Sequence, residues 1–228
     1  MSRATLTADR VIDAGLALAD ADGLDGLSMR TLAQRLGVVP MALYKHVSNK
    51  DELIDGMVDR VWAEVEPPSP RFAWRDAMRR RAASLRSALL RHRWAVGLME
   101  SRMRPGFANL SQHDAMMGCL RRSGFSFRTA VHVTSALDAY VYGFALQEKT
   151  LPFDTAEESG EVAEQKLEAT PPELAMQFPY LMEVVVEMSR GGYDYDAEFA
   201  TGLDLILDGV ERLRPEWASA GQGPAAAE

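Results

Sequence analysis

Apolar positions along this chain recur at spacings of three and four, and a glycine or proline closes nearly every run. Val11, Gly15 and Leu18 run beside Ile12, Leu16 and Ala19, which predicts a first helix over Thr7 to Asp22. Thr7 is placed as its N-cap, and Gly23 and Gly26 break it. Leu32, Ala33 and Leu36 form a shorter stripe that Ser28 can cap and Gly37 can stop, because glycine takes the left-handed cap conformation. Pro40 suits the first turn of the next helix, whose inward face is Leu43 and Val47. Ile54, Met57, Val58, Val61, Trp62 and Val65 mark a fourth helix. Either Ser48 with Asp51 or Asn49 with Glu52 has capping-box spacing at its start.

Pro67-Pro68-Ser69-Pro70 interrupts the pattern and is the natural domain boundary. Beyond it, Phe72, Trp74, Ala82, Leu85, Leu89 and Leu90 predict a buried helix face within Arg71 to Arg93. Helices follow over Ala108 to Arg122 and Ser126 to Leu151, the second closed by Pro152. Thr155 to Glu168 is short, acidic and weakly apolar and reads as a loop with a marginal helix. Thr170-Pro171-Pro172-Glu173 is a helix start with Thr170 as cap, then proline and capping-box acid in order; Pro179 interrupts what comes next, and Gly191-Gly192 ends it. A last helix runs from about Asp196 to Leu213 with Phe199, Leu203, Ile206, Val210 and Leu213 inward. Leu205 and Leu207 widen its apolar face beyond one stripe. The Ala/Gly-rich 217–228 reads as a disordered tail.

Composition limits the function classes. With 228 residues the chain can form one large domain or two small ones, and 47% hydrophobic with 25% charged residues is ordinary for a globular protein. No apolar run approaches the roughly 20 residues a bilayer crossing needs, and no signal-peptide pattern opens the chain, so no membrane partner is expected. One cysteine, Cys119, excludes an internal disulfide framework and reads as simple burial; the expected location is the cytoplasm. Gly-rich phosphate loop, HExxH, CxxC and Gly-x-Ser-x-Gly are all missing. The four histidines (46, 92, 113, 132) fall in different predicted helices or on different faces, so no catalytic residues, metal or cofactor are expected.

Charge is uneven. The net charge is −8, yet Gly26 to Lys50 holds four cations (Arg30, Arg35, Lys45, Lys50) and no acid. In an acidic molecule only such a local basic surface can meet phosphate, and charge and periodicity leave a helical hairpin with a solvated basic face equally open. Arg71 to Arg93 holds eight arginines against Asp76 alone; beyond Thr150, seventeen acids face four bases. A solvated arginine face pairing with that acidic end is preferred over a second nucleic-acid surface.

The segment from Leu27 to Lys50 has the plan of a helix-turn-helix, whose second helix enters the DNA major groove. Its residues go further. Gly37-Val38, then Leu43-Tyr44-Lys45-His46-Val47, then Asn49-Lys50-Asp51-Glu52-Leu53 resemble, in register, the signature of TetR-type transcriptional regulators over about Thr7 to Val65. The resemblance implies an all-α fold with a three-helix DNA-binding domain within 1–66, including a linking fourth helix. A larger ligand-binding and dimerisation domain over 71–216 would follow. It also implies that Arg30, with Thr31 near the groove, contacts a base or a phosphate, and that Pro40, Met41 and Ala42 lie where base edges are read. Apolar Pro40, Met41 and Ala42 suit thymine methyl groups, and arginine suits guanine. Tyr44, Lys45 and His46 resemble the family's backbone clamp, and Lys50, in the first turn of helix four, is a phosphate candidate.

The same resemblance places an effector pocket in the middle of the chain. Met99, Met103, Met116, Met117, Tyr140, Tyr142 and Phe144, with polar His113, His132 and Gln147, have the mix such cavities use; for any single one of them ordinary core is the preferred reading. It further implies a homodimer, built from the long helix before Pro152 and the last helix, that binds a palindromic operator in double-stranded DNA until a small molecule releases it. A helical adaptor using its apolar last helix for a protein partner is the alternative.

Overall fold

A computed structural model describes residues 5–153 and 155–213. Residue 154, the first four residues and 214–228, which hold the expected tail, lie outside the described residues. Eleven helices and no strand occur among the described residues. Among the described residues no helix is long and apolar enough to cross a membrane. They divide into two compact units, one of residues up to Ala145 with the segment from Gly209 onward, the other Leu146–Asp208.

The first unit opens with α1 (Ala8–Gly26), which Thr7 caps by accepting from the Arg10 N–H. The helix runs four residues past the expected end at Asp22. Gly23, at φ +71, absorbs a kink instead of stopping it. α2 (Met29–Leu36) starts in a capping box in which Ser28 and Thr31 satisfy each other's backbone N–H groups. It ends on Gly37 at φ +67. α3 (Pro40–Leu43) is a single turn that continues as turns through His46. α4 (Lys50–Ala63) is capped by Asn49, which accepts from Glu52 N–H, while the Glu52 carboxylate accepts from Ser48 N–H. Val11, Leu18, Leu32, Leu43, Val47, Leu53 and Met57 are buried together where α1 packs on α2 and α4. Each such side chain contributes about 1.5–3 kcal/mol.

α5 (Trp74–Arg91), α6 (Phe107–Arg122) and α7 (Phe127–Thr150) follow. α4 packs on both α5 and α6, so it is shared between the helix-turn-helix and the helices after the proline segment. Two contacts fix its seat. The Asp59 carboxylate accepts from the N–H groups of Ala108 (3.3 Å) and Asn109 (3.0 Å), and so caps α6 from a neighbouring helix. The Gln112 amide donates to the Val65 carbonyl.

Three arginines of α5 depart from one expectation. Arg80 pairs with Glu66 at 2.8 Å, Arg91 with Glu64 at 2.6 Å, and Arg81 with Asp138 at 2.6 Å. These three partners precede Thr150. The physical reason is proximity, since α4 delivers Glu64 and Glu66 against α5. Arg81 is not on a solvated face at all; it is 1% exposed.

The second unit contains α8 (Ala156–Ala169), α9 (Pro172–Gln177) and α10 (Pro179–Gly191), with most of α11 (Tyr195–Glu211). Two expectations are corrected here. The segment expected to be mainly loop is the full fourteen-residue helix α8. Its buried face is Ser159, Gly160 and Ala163, small side chains that let α10 approach closely, so little apolar area was visible in the sequence. Thr170 does not cap α9: its hydroxyl donates back to the Lys166 carbonyl, and Pro171 takes the cap position. On α11, Phe199, Leu203, Leu207 and Val210 are buried, whereas Leu205 is 70% exposed and Ile206 half-buried.

Candidate nucleic-acid interface and effector cavity

The helix-turn-helix presents its chemistry from a short, well-fixed platform. Leu32, Ala33, Leu43 and Val47 are buried, so the intervening positions of α2 and α3 face outward. Arg30, Pro40, Met41, Tyr44, Lys45 and Lys50 are exposed, with Ala42 and His46 half-buried. Val39 and Met41, at 68% and 72% exposure, are apolar groups with nothing folded over them. Arg30, Arg35, Lys45 and Lys50 form no ion pair among the described residues. Thr31 is exposed too, but its hydroxyl is occupied in the capping box and on the Gly26 carbonyl. Lys50 opens α4 among its free N–H groups, where an anion is attracted.

Behind this surface, His92 ties three helices together. Its Nδ1 meets the Asp20 carboxylate of α1 at 2.8 Å, and its Nε2 meets Glu64 at the end of α4 at 3.0 Å. Asp20 also accepts from the Trp94 indole at 2.7 Å. Burial pushes the Glu64 pKa up, but hydrogen bonds from Arg91 and His92 outweigh it and hold the group below the usual carboxylate range.

A cavity of about 470 Å³ lies between α6 and α7. Its apolar walls include Met117, Val131 and Ala139, and its polar corner is Glu100, His113, Asp138 and Tyr142. Glu100 accepts from the Tyr142 hydroxyl at 2.7 Å. Burial and the nearby Asp138 and Glu100 charges raise the Tyr142 pKa far above its ordinary value, so the phenol stays protonated and donates. A second hollow, of about 250 Å³, shares Glu100 and His113 and is lined on its far side by Asp55, Asp59 and Trp62 of α4. The His113 and Trp62 rings meet edge to face, 5.4 Å between centroids.

Of the residues picked from the sequence for a pocket, the 470 Å³ cavity gathers His113, Met117 and Tyr142. Met99 borders the second hollow. Met116 is fully buried, Met103 is 93% exposed, and His132 and Gln147 are exposed. Tyr140 and Phe144 meet as tilted rings, 5.8 Å between centroids, with the Arg86 guanidinium over Phe144. The reason is helical phase. Val131, Thr134, Ser135, Asp138 and Tyr142 share one face of α7, and His132, Tyr140, Phe144 and Gln147 fall off it. An aspartate at 138 inside an apolar helix is the signal in the sequence for this polar corner.

Comparison with known proteins agrees with both halves of this description. Residues 11–57 match the model of bacterial regulatory proteins of the tetR family, and residues 66–214 match the tetracyclin repressor-like C-terminal domain. The HTH-type transcriptional repressor DrrR1 of Streptomyces coeruleorubidus is 32% identical over 92% of this chain and 78% of its own length. The class A tetracycline repressor of Escherichia coli transposon 1721 is 33% identical over 92% of each chain. Among solved structures, the Streptomyces coelicolor protein ActR in complex with actinorhodin superposes with a TM-score of 0.74 at 32% identity, over 92% of this chain and 98% of that one. A shared fold, a matched DNA-binding module and relatives named as repressors converge: the chain belongs to the TetR family, and is a ligand-responsive, DNA-binding transcriptional regulator rather than an enzyme.

Proposed function

We propose that this regulator acts in the cytoplasm as a homodimer on a palindromic operator, and that a small molecule in the α6–α7 cavity releases it. The observation that carries the DNA reading is the row of exposed Arg30, Met41, Tyr44, Lys45 and Lys50 set on buried Leu32, Leu43 and Val47. Arg30, Met41 and Ala42 read base edges. Tyr44, Lys45, His46 and Lys50 hold phosphates. The helices that pair the protomers are α7 and α11, whose Leu146 and Leu205 are exposed.

The cavity is an effector site because its shape and polarity fit one, and because it abuts α4 through His113 and Trp62. Similar proteins have been crystallised with actinorhodin and with 5a,6-anhydrotetracycline and magnesium. A ligand that shifts α6 also shifts the Asp59 cap and the Gln112 bond, and with them α4. It releases DNA only by binding the released form better than the bound one.

Selection of bound duplexes from a random library tests the reading. The expected result is a palindrome with half-sites about one helical turn apart, weakened by Arg30→Ala and Tyr44→Ala. Recovery of no sequence preference would reject it, and a monomer in solution would favour the adaptor alternative.

A further inference from the structure

The polar corner of the α6–α7 cavity carries one uncompensated negative charge. Asp138 is matched by the buried Arg81 guanidinium at 2.6 Å. Glu100 has no lysine or arginine partner among the described residues; it receives the Tyr142 hydroxyl and stands 3.7 Å from His113 Nε2. His113 Nδ1 lies 2.9 Å from the Asn109 carbonyl, which can only accept, so Nδ1 carries the proton. In the neutral ring Nε2 therefore offers a lone pair.

Glu100, His113 and Asp138 each supply one such atom, and these atoms lie within 4.8 Å of one another. Three ligands of that kind invite a divalent metal, but charge argues against one. Two carboxylates and Arg81 sum to a single negative charge, and arginine does not deprotonate. A dication would leave an excess positive charge beside the buried Arg81 guanidinium. A primary ammonium fits instead. It brings one positive charge and three N–H donors to three acceptors.

We propose that the cavity takes an arylalkyl primary amine, its ammonium held by Glu100, His113 and Asp138 and its ring along Met117, Val131 and Ala139. This rests on the cavity being the effector site. The volume of about 470 Å³ lies within the range that encloses a drug-sized molecule.

Calorimetric titration of the full chain with naphthylmethylamine, naphthylmethanol and naphthoate, and separately with magnesium or manganese chloride alone, tests it. The expected result is amine binding at least about tenfold tighter than the alcohol, with naphthoate weakest. Glu100→Gln should bring the amine down to the alcohol's affinity while the alcohol still binds, which shows that the variant's cavity is intact. Equal affinity for amine and alcohol, tighter naphthoate, no binding of any of the three, loss of both ligands in Glu100→Gln, or metal binding that depends on Glu100 would each overturn it. Glu100-dependent amine binding that leaves operator affinity untouched would support the ammonium site and reject its role as the effector site.

Discussion

Arg81 is a charged side chain at 1% exposure, held by one bond from its Nη1 to Asp138. Its Nε and Nη2 are buried without a hydrogen-bond partner, while its guanidinium lies 5.9 Å over the Trp62 ring. A buried pair this incompletely satisfied recovers only part of its desolvation, so the two halves are far from equal to the whole. Arg81→Met leaves the Asp138 carboxylate alone beside an apolar wall and should destabilise the chain by about 3–5 kcal/mol. Adding Asp138→Leu should restore most of that loss. Chemical denaturation of the two variants checks it, and a double variant no more stable than Arg81→Met would show that the pair stabilises the fold outright. The pair also explains a limit of sequence reading. Arg81 sits among seven other arginines, and no local pattern separates the one that turns inward.

At the scale of elements, capping residues were the most legible feature, because a cap is a local event. Thr7, Ser28, Gly37 and Asn49 all close or open helices where their neighbours in sequence say they should. Thr170 and α8 were not legible, because their outcome depends on a distant helix. Gly160 and Gly192 show why. A Cβ at Gly160 would meet the Met188 carbonyl at 3.5 Å, ordinary contact, whereas one at Gly192 would meet the Ala156 carbonyl at 2.1 Å. Gly192 is also at φ +71. With ψ at −174 this is a backbone region essentially reserved for glycine, which costs an L residue about 1–3 kcal/mol, and here backbone would have to move as well. Gly192→Ala should therefore loosen the α8–α10 pair, while Gly160→Ala should be close to neutral. Hydrogen exchange of α8 amides reads the difference directly; equal protection in both variants would mean that the close approach at Gly192 is not what holds the pair.

For the whole molecule, the decisive number is a net charge of −8. Its average field repels DNA, so attraction depends on the few exposed cations of the helix-turn-helix acting at short range. This was legible in the sequence as an acid-free stretch. The cavity was not, since it depends on which face of α7 meets α6. The charge distribution separates two kinds of variant. On the proposed operator complex, Lys45→Ala takes one phosphate contact from each protomer. It should weaken every sequence alike and lower the slope of log affinity against log salt by about 2, roughly 0.9 for each phosphate released. Arg30→Ala should instead relax the preference for one base pair in each half-site, as loss of a bidentate base contact does, at about 1–3 kcal/mol for that base. Fluorescence anisotropy on matched and mismatched operators, repeated across salt concentrations, resolves both. If Arg30→Ala changes only the slope and Lys45→Ala only the preference, the two roles are exchanged, and α2 rather than α3 carries the backbone clamp.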